Sequence, residues 1–309
     1  MTARILFASS LLLLLRLYTN AQSLFWMPES SYGTEVNAII SAARSNGVAI
    51  PSEYTLRCMQ RLIDTLKQDG HWANIYQLYC FEHDAAEPFN RIDWKTPSNT
   101  NALATSNNAT YAQTDPYIQF QRNTGIRRNT TSPYLGYYTL SYSTESKSAV
   151  TLGVVLDNAA LQATSGSFFG SSIGSINASA EYAGTQLQKR ANTTGFSGIL
   201  NSVHTAAGSY PSITVDNTGS HTRTISISRN SNSVAVASNG SVNSSTNNYS
   251  STYAGFYSIM TATFFDASSI PYDFPYTGLN YIKFFWIGST SATATTLWPY
   301  FNEYSKWIP

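Results

Sequence analysis

The chain has 309 residues, 42% of them apolar and 14% aromatic, and only 11% charged. That length supports a full core in one large domain, or in a large and a small one. A net charge of +1 gives no field to draw in nucleic acid, two cysteines exclude a disulfide scaffold, and 21 Tyr, 15 Phe and 6 Trp exclude disorder.

The first zone is residues 1–21. Arg4 precedes an apolar run from Ile5 to Leu15, and Arg16 closes it. Thr19 and Ala21 have the spacing of a signal-peptidase site before Gln22. The run is shorter than the roughly 20 residues a spanning helix needs. It reads as a secretory signal, with an apolar helix packed in an assembly or a misplaced start as the other readings.

Residues 22–96 form a second zone. They end at a boundary near Pro97, in the turn cluster Thr96-Pro97-Ser98-Asn99-Thr100-Asn101. Residues 1–96 hold 9 of the 17 acids and 8 of the 18 bases, so the longer remainder, 97–309, has less than half their charge density. Two helices are predicted in 30–70. Val36, Ile39, Ile40 and Ala43 make one stripe, stopped at Asn46-Gly47. Ser52 is set to cap the second, where Leu56, Met59, Ile63 and Leu66 line a face beside Leu62, and Gly70 ends it. His71 to Phe81 packs in Trp72, Ile75, Leu78 and Tyr79. It is too apolar for a linker and is expected to dock the helices onto the β part.

From residue 134 the period becomes two. Strands are predicted at 137–143, 148–156, 255–265 and 281–288. Thr222 to Ser228 and Ser233 to Ser238 make a hairpin, followed by an Asn239-Gly240 turn. Residues 229–252 hold 8 Ser, 2 Thr and 6 Asn and read as an exposed loop or edge. A final helix is expected, capped by Ser291 or Thr293, with Pro299 in or near its first turn. Leu297, Tyr300, Phe301 and Tyr304 would be its apolar face. Short strands with frequent turns and no βαβ rhythm predict a mainly β chain folded as an antiparallel β-sandwich.

Chemistry is sparse. His71, His83, His204 and His221 lack paired metal-ligand spacing. Glu82-His83-Asp84 is the densest polar cluster. Consecutive residues cannot converge on one metal from a regular element, so a solvated turn or a structural hydrogen bond is expected. Glycosidic hydrolysis needs two carboxylates at a set separation. Asp115, Glu145, Asp157, Glu181, Asp216, Asp266, Asp273 and Glu303 are spread singly along 97–309. No nucleophile elbow, P-loop, dinucleotide fingerprint or calcium loop occurs, so no catalytic, cofactor or metal residue is assigned. Cys58 and Cys80 either pair or stay as buried thiols. Glycosylation sequons fall at Asn108, Asn129, Asn177, Asn192, Asn239, Asn243 and Asn248, and several are expected by chance. The aromatic rings either stack on sugars beside Asn, Ser and Thr or fill the core and a subunit interface; for any single ring the core is favoured.

The order of parts resembles a module of tailed-phage virion proteins. The matching run is Leu66-Lys67-Gln68-Asp69-Gly70-His71-Trp72, then Ile75 to Tyr79, then Asp93-Trp94-Lys95. The β part, through Ile225 to Arg229, Val234 to Val236, Asn239-Gly240 and Phe284 to Gly288, resembles the concanavalin A-like, or laminin-G-like, jelly roll. The resemblance covers residues 33–309. It implies a non-enzymatic fibre, tail or decoration protein on the virion surface, with 22–96 attaching it and 97–309 as a lectin-like sandwich. The partners implied are other virion proteins, a homo-oligomer (a trimer for a fibre) and a host surface glycan, with no nucleic acid. The laminin-G calcium loop is missing, so no metal or sugar ligand carries over. Residues 1–22 favour a different reading, a secreted bacterial carbohydrate-binding protein; a glycoside hydrolase is the third.

Overall fold

The computed structural model describes residues 32–98, 103–105, 118–128, 138–142, 149–157, 166–173, 182–189, 195–204, 212–214, 223–231, 233–245, 257–261 and 281–309. Residues 1–21, and most of the stretches between strands, lie outside them. Two helices come first, α1 (Thr34–Ser45) and α2 (Glu53–Gln68). Val36, Ile39, Ile40 and Ala43 are the buried stripe of α1, and Gly47 beyond its end takes a φ of 67°. Ser52 caps α2, its hydroxyl accepting the Thr55 N–H at 3.3 Å. Gly70 follows α2 with a φ of 76°, a left-handed turn that glycine enters without strain.

Strand β1 (Ile75–Cys80) leads out of the helices. It is followed by β2 (Ala104–Thr105), β3 (Ile118–Gln121), β4 (Gly125–Arg128), β5 (Tyr138–Tyr142), β6 (Ala149–Leu156), β7 (Gly166–Ile173) and β8 (Tyr182–Lys189). Then come β9 (Gly195–His204), β10 (Ser212–Thr214), β11 (Arg223–Asn230), β12 (Ser233–Ser238), β13 (Ser241–Ser245), β14 (Tyr257–Thr261) and β15 (Ile282–Gly288). Helix α3 (Ala294–Trp307) closes the chain.

The strands make two antiparallel sheets. The first runs β13-β12-β11-β6-β15-β4-β3, with β1 also on β15. The second runs β10-β9-β8-β7-β14-β5-β2. Strands β9 and β10 lie against β11, β12 and β13, so the sheets stack as a sandwich of the jelly-roll type. The predicted hairpin is present, β11 on β12 with Ile227 opposite Val236, and Asn239 turns the chain into β13 with a φ of 47°.

The first sheet is covered on both faces. Nearly every residue of β6 and β15 is buried. Val155, Phe284 and Trp286 join one apolar cluster with Ile39, Met59, Ile63, Leu297 and Phe301, so the helices blanket that side. Side chains alternate across a strand, and the buried Phe285 and Ile287 fall on the side of the second sheet. Burial of this kind on both faces explains why β15 reads as a continuous apolar run rather than an alternating one.

The segment 71–81 docks as a strand. β1 pairs with β15 from Ile75 opposite Gly288 to Cys80 opposite Phe284, while β4 takes the remaining start of that edge at Ile282. Pro299 sits one turn deeper in α3 than expected, within the helix body, and Tyr300 is only partly buried against the core. Thr293 is the N-cap residue, but its hydroxyl bonds Thr295 and Thr296. The Ala294 N–H goes instead to Ser226 Oγ on β11, at 2.8 Å.

Candidate functional site

The densest polar chemistry lies where the chain leaves β1. Glu82 is buried and accepts hydrogen bonds from Lys283 Nζ and, at 2.6 Å, from Ser305 Oγ. Its backbone carbonyl accepts the Tyr304 hydroxyl at 3.2 Å. One residue therefore ties the end of β1 to β15 and α3. Burial pushes the Glu82 carboxyl up, and the Lys283 ammonium offsets part of that rise.

His83 points elsewhere. Its Nδ1 accepts the Ala85 N–H at 3.2 Å, which leaves the proton on Nε2 to donate to Asn90 Oδ1 at 2.7 Å. The ring sits 4.9 Å from Phe89 and 5.1 Å from Phe120 on β3. Burial holds it neutral and brings its pKa down to about 4. Asp84 accepts the Ser52 N–H at 3.0 Å at the start of α2. Burial pushes this carboxyl up, but the bonds from Ser52 and Thr55 outweigh it and hold it below the usual range.

The three neighbours thus diverge onto three different elements. They do not converge on a point. Glu82 and His83 are not a solvated turn but buried hydrogen-bonded posts. Among the described residues no group of three His, Cys, Asp or Glu is placed to share a metal.

Asp93 is the second post, and sequence spacing alone did not single it out. Its Oδ1 accepts the N–H of Leu78 at 3.0 Å and of Lys95 at 2.9 Å, and its Oδ2 accepts Thr96 Oγ at 2.7 Å. Lys95 donates to the Trp72 carbonyl at 2.6 Å and lies 4.4 Å from that ring's centre. The Asp-Trp-Lys turn is therefore a clasp across β1. The signal that could have found it is a carboxylate two residues before a lysine, with a tryptophan between them.

Cys58 and Cys80 are both free and buried. Burial pushes both thiols up, Cys58 to about 11, which makes them poor nucleophiles. His71 is edge-on to Tyr300 at 5.3 Å. His204 ends β9 and His221 lies outside the described residues. Of the dispersed acids, Asp115, Glu145, Glu181, Asp216, Asp266 and Asp273 also lie outside them. Glu303 is exposed beside Lys306, and the Asp157 N–H donates to the Tyr281 carbonyl.

Described aromatic rings are mostly core. Trp94, Phe284, Trp286, Phe301 and Tyr304 form one edge-to-face and tilted stack. At the surface, Tyr54 donates to the Trp307 carbonyl at 2.6 Å, and Arg61 lies 4.1 Å over the Trp307 ring. A shallow groove of about 510 Å³ crosses α1, lined by Ala38, Ser41, Ala42, Ser45, Asn46, Pro97 and Ser98. Its lining holds no acid, base or nucleophile matched to catalysis. No helix among the described residues is long and apolar enough to cross a membrane.

No protein-family model matches the chain, and no curated protein matches it. Among solved structures it is similar to the botulinum neurotoxin serotype D binding domain, at 11% identity and a TM-score of 0.43, over 71% of this chain and 49% of that one. Trypanosoma rangeli sialidase aligns at 10% identity and a TM-score of 0.41, over 78% of this chain and 38% of that one. Bacillus licheniformis beta-glucanase aligns at 11% identity and a TM-score of 0.37, over 56% of this chain and 82% of that one. The chain spans half or less of the first two, and likeness at this level carries no activity across.

Proposed function

We propose that the chain is a non-enzymatic surface protein of a tailed-phage particle, a fibre, tail or decoration component. In this reading the helical layer attaches the protein to other virion proteins and the sandwich faces outward as a homo-oligomer. The observation that carries the reading is the covering of the first sheet. Helices from both ends of the chain occupy one of its faces and the second sheet occupies the other. In this reading the host-facing contact is left to the second sheet. The strands of that sheet hold one charged residue, Lys189, among Ser, Thr, Gln and Tyr. Hydroxyls, amides and flat rings suit an uncharged host glycan.

The buried acids of the helical seam are committed to structural bonds, which supports a role without bond cleavage. The test is a phage with the gene removed. Loss of host adsorption, or particles missing a surface feature by electron microscopy, is expected. Unchanged particles that adsorb normally contradict the proposal.

A second reading, a secreted carbohydrate-binding protein, is favoured by the apolar run and the Thr19–Ala21 spacing before Gln22. Glycoside hydrolysis is the third. A polysaccharide screen is expected to show binding without turnover, and measurable turnover would replace the non-enzymatic reading.

A further inference from the structure

The two edges of the first sheet differ in chemistry. One edge is β3, whose hairpin with β4 carries Arg122, Arg127 and Arg128. The other is β13, Ser241-Val242-Asn243-Ser244-Ser245, which pairs with β12 along its whole length and ends the sheet. From Asn230 to Phe265 the sequence contains no Asp, Glu, Lys, Arg or Pro. An open strand edge presents a row of N–H and C=O groups to any other strand, and proteins commonly guard it with charge or proline. The strand β13 itself carries neither guard, and among the described residues no strand pairs with its outer edge.

Two more observations fall on the same flank. Val242 is 55% exposed and, with Tyr54, is one of two large apolar side chains so exposed among the described residues. Strand β10, the edge of the second sheet, lies against β12 and β13, and residues 205–215 around it are also uncharged. Pro211 stands at the start of β10, so of the two adjoining edges only that of β13 lacks both guards. The strand that offers it is held in register. Asn239 turns β12 into β13, and its Oδ1 accepts the Thr224 N–H at 2.9 Å.

We infer that this flank is a self-association edge, on which β13 pairs antiparallel with β13 of a second copy and joins two first sheets across a two-fold axis. The absence of charge selects a second copy as the occupant. In a two-fold pair each strand meets its own sequence reversed, so a charge on it faces an equal charge nearby, and like charges opposite each other destabilise a sheet. A foreign partner could answer any charge with its complement. With Asn243 on the axis, Val242 stands opposite Ser244 of the second copy, and every pair is small and neutral. Two short strands fall below the roughly 1,600 Å² of a standard interface, so the dimer dissociates on dilution.

Sedimentation velocity of the full chain over a range of concentrations tests this. A reversible monomer–dimer equilibrium is expected. Asn243→Lys and Asn243→Glu should each weaken it at least tenfold while thermal melting stays unchanged, and mixing the two variants should restore the dimer. Gln121→Lys, on the opposite edge, should leave it intact. A chain that stays monomeric, a trimer, or a dimer indifferent to Asn243→Lys overturns the proposal. Should the Asn243 variants fail to fold, hydrogen exchange of the unaltered chain decides. Amides 241–245 should gain protection at high concentration, and no gain overturns the proposal.

Discussion

His83 shows how one side chain sets a response to pH. Its folded pKa of about 4 lies below the ordinary 6.5, chiefly because burial disfavours the cation, with Asp84 and Arg122 as the charged neighbours. Between those two values the unfolded chain binds a proton that the folded chain refuses. The His83 contribution to stability therefore rises with pH across that window, and about 3 kcal/mol of it is lost as pH drops from 6.5 toward 4. Urea unfolding at pH 4.5 and 7 measures it. His83→Gln should flatten that dependence, and an unchanged slope in the variant contradicts the assignment. Gly153 makes a second residue-scale case. It pairs with Trp286, whose ring lies where a side chain at 153 would go, a Cβ there falling 2.0 Å from the ring. Gly153→Ala should cost about 1–3 kcal/mol by overpacking and shift the Trp286 fluorescence. A neutral substitution would mean that the ring moves freely.

At the scale of elements, the seam rests on β1. Its outer edge is clasped by Asp93 and its inner edge by β15. Asp93→Ala leaves the Leu78 N–H without its acceptor and should cost about 1–3 kcal/mol by denaturant unfolding. Local patterns announced the helices, because the stripes Val36 to Ala43 and Leu56 to Leu66 repeat at helical spacing within one segment. The hairpin of β11 and β12 was equally legible, since alternation and turn lie within twenty residues. β1 was not legible as a strand. Its partner β15 is some two hundred residues away, and its burial runs on through Leu78, Tyr79 and Cys80, so no alternation marks it. The start of α3 at Thr293 was legible, but the partner of its first N–H was not, since Ser226 comes from a distant strand. For the Glu82-His83-Asp84 cluster the sequence left a solvated turn and a structural hydrogen bond open, and the structure has the hydrogen bonds. Burial appears only once Lys283, Asn90 and Ser52 arrive from elsewhere in the chain.

For the whole molecule, α1, α2, the segment after β1 and α3 share one apolar cluster with Val155, Phe284 and Trp286 of the first sheet. A chain of residues 99–309 alone would keep α3 but lose α1 and α2 from the apolar cluster around Val155, Phe284 and Trp286, and would leave the β1 edge of β15 open. It should give no cooperative thermal transition by circular dichroism, and a sharp one would show that the sandwich stands without α1, α2 and β1. Function at this scale follows from which surfaces are left. The helical side is closed onto the first sheet, and the strands of the second sheet hold a single charged residue, Lys189. Mass spectrometry of purified phage particles, with N-terminal sequencing of the same protein, tests the virion reading most directly. The expected result is this chain in the particles at the copy number of a structural protein. Its absence from particles, with a form beginning at Gln22 in the culture medium, would contradict that reading.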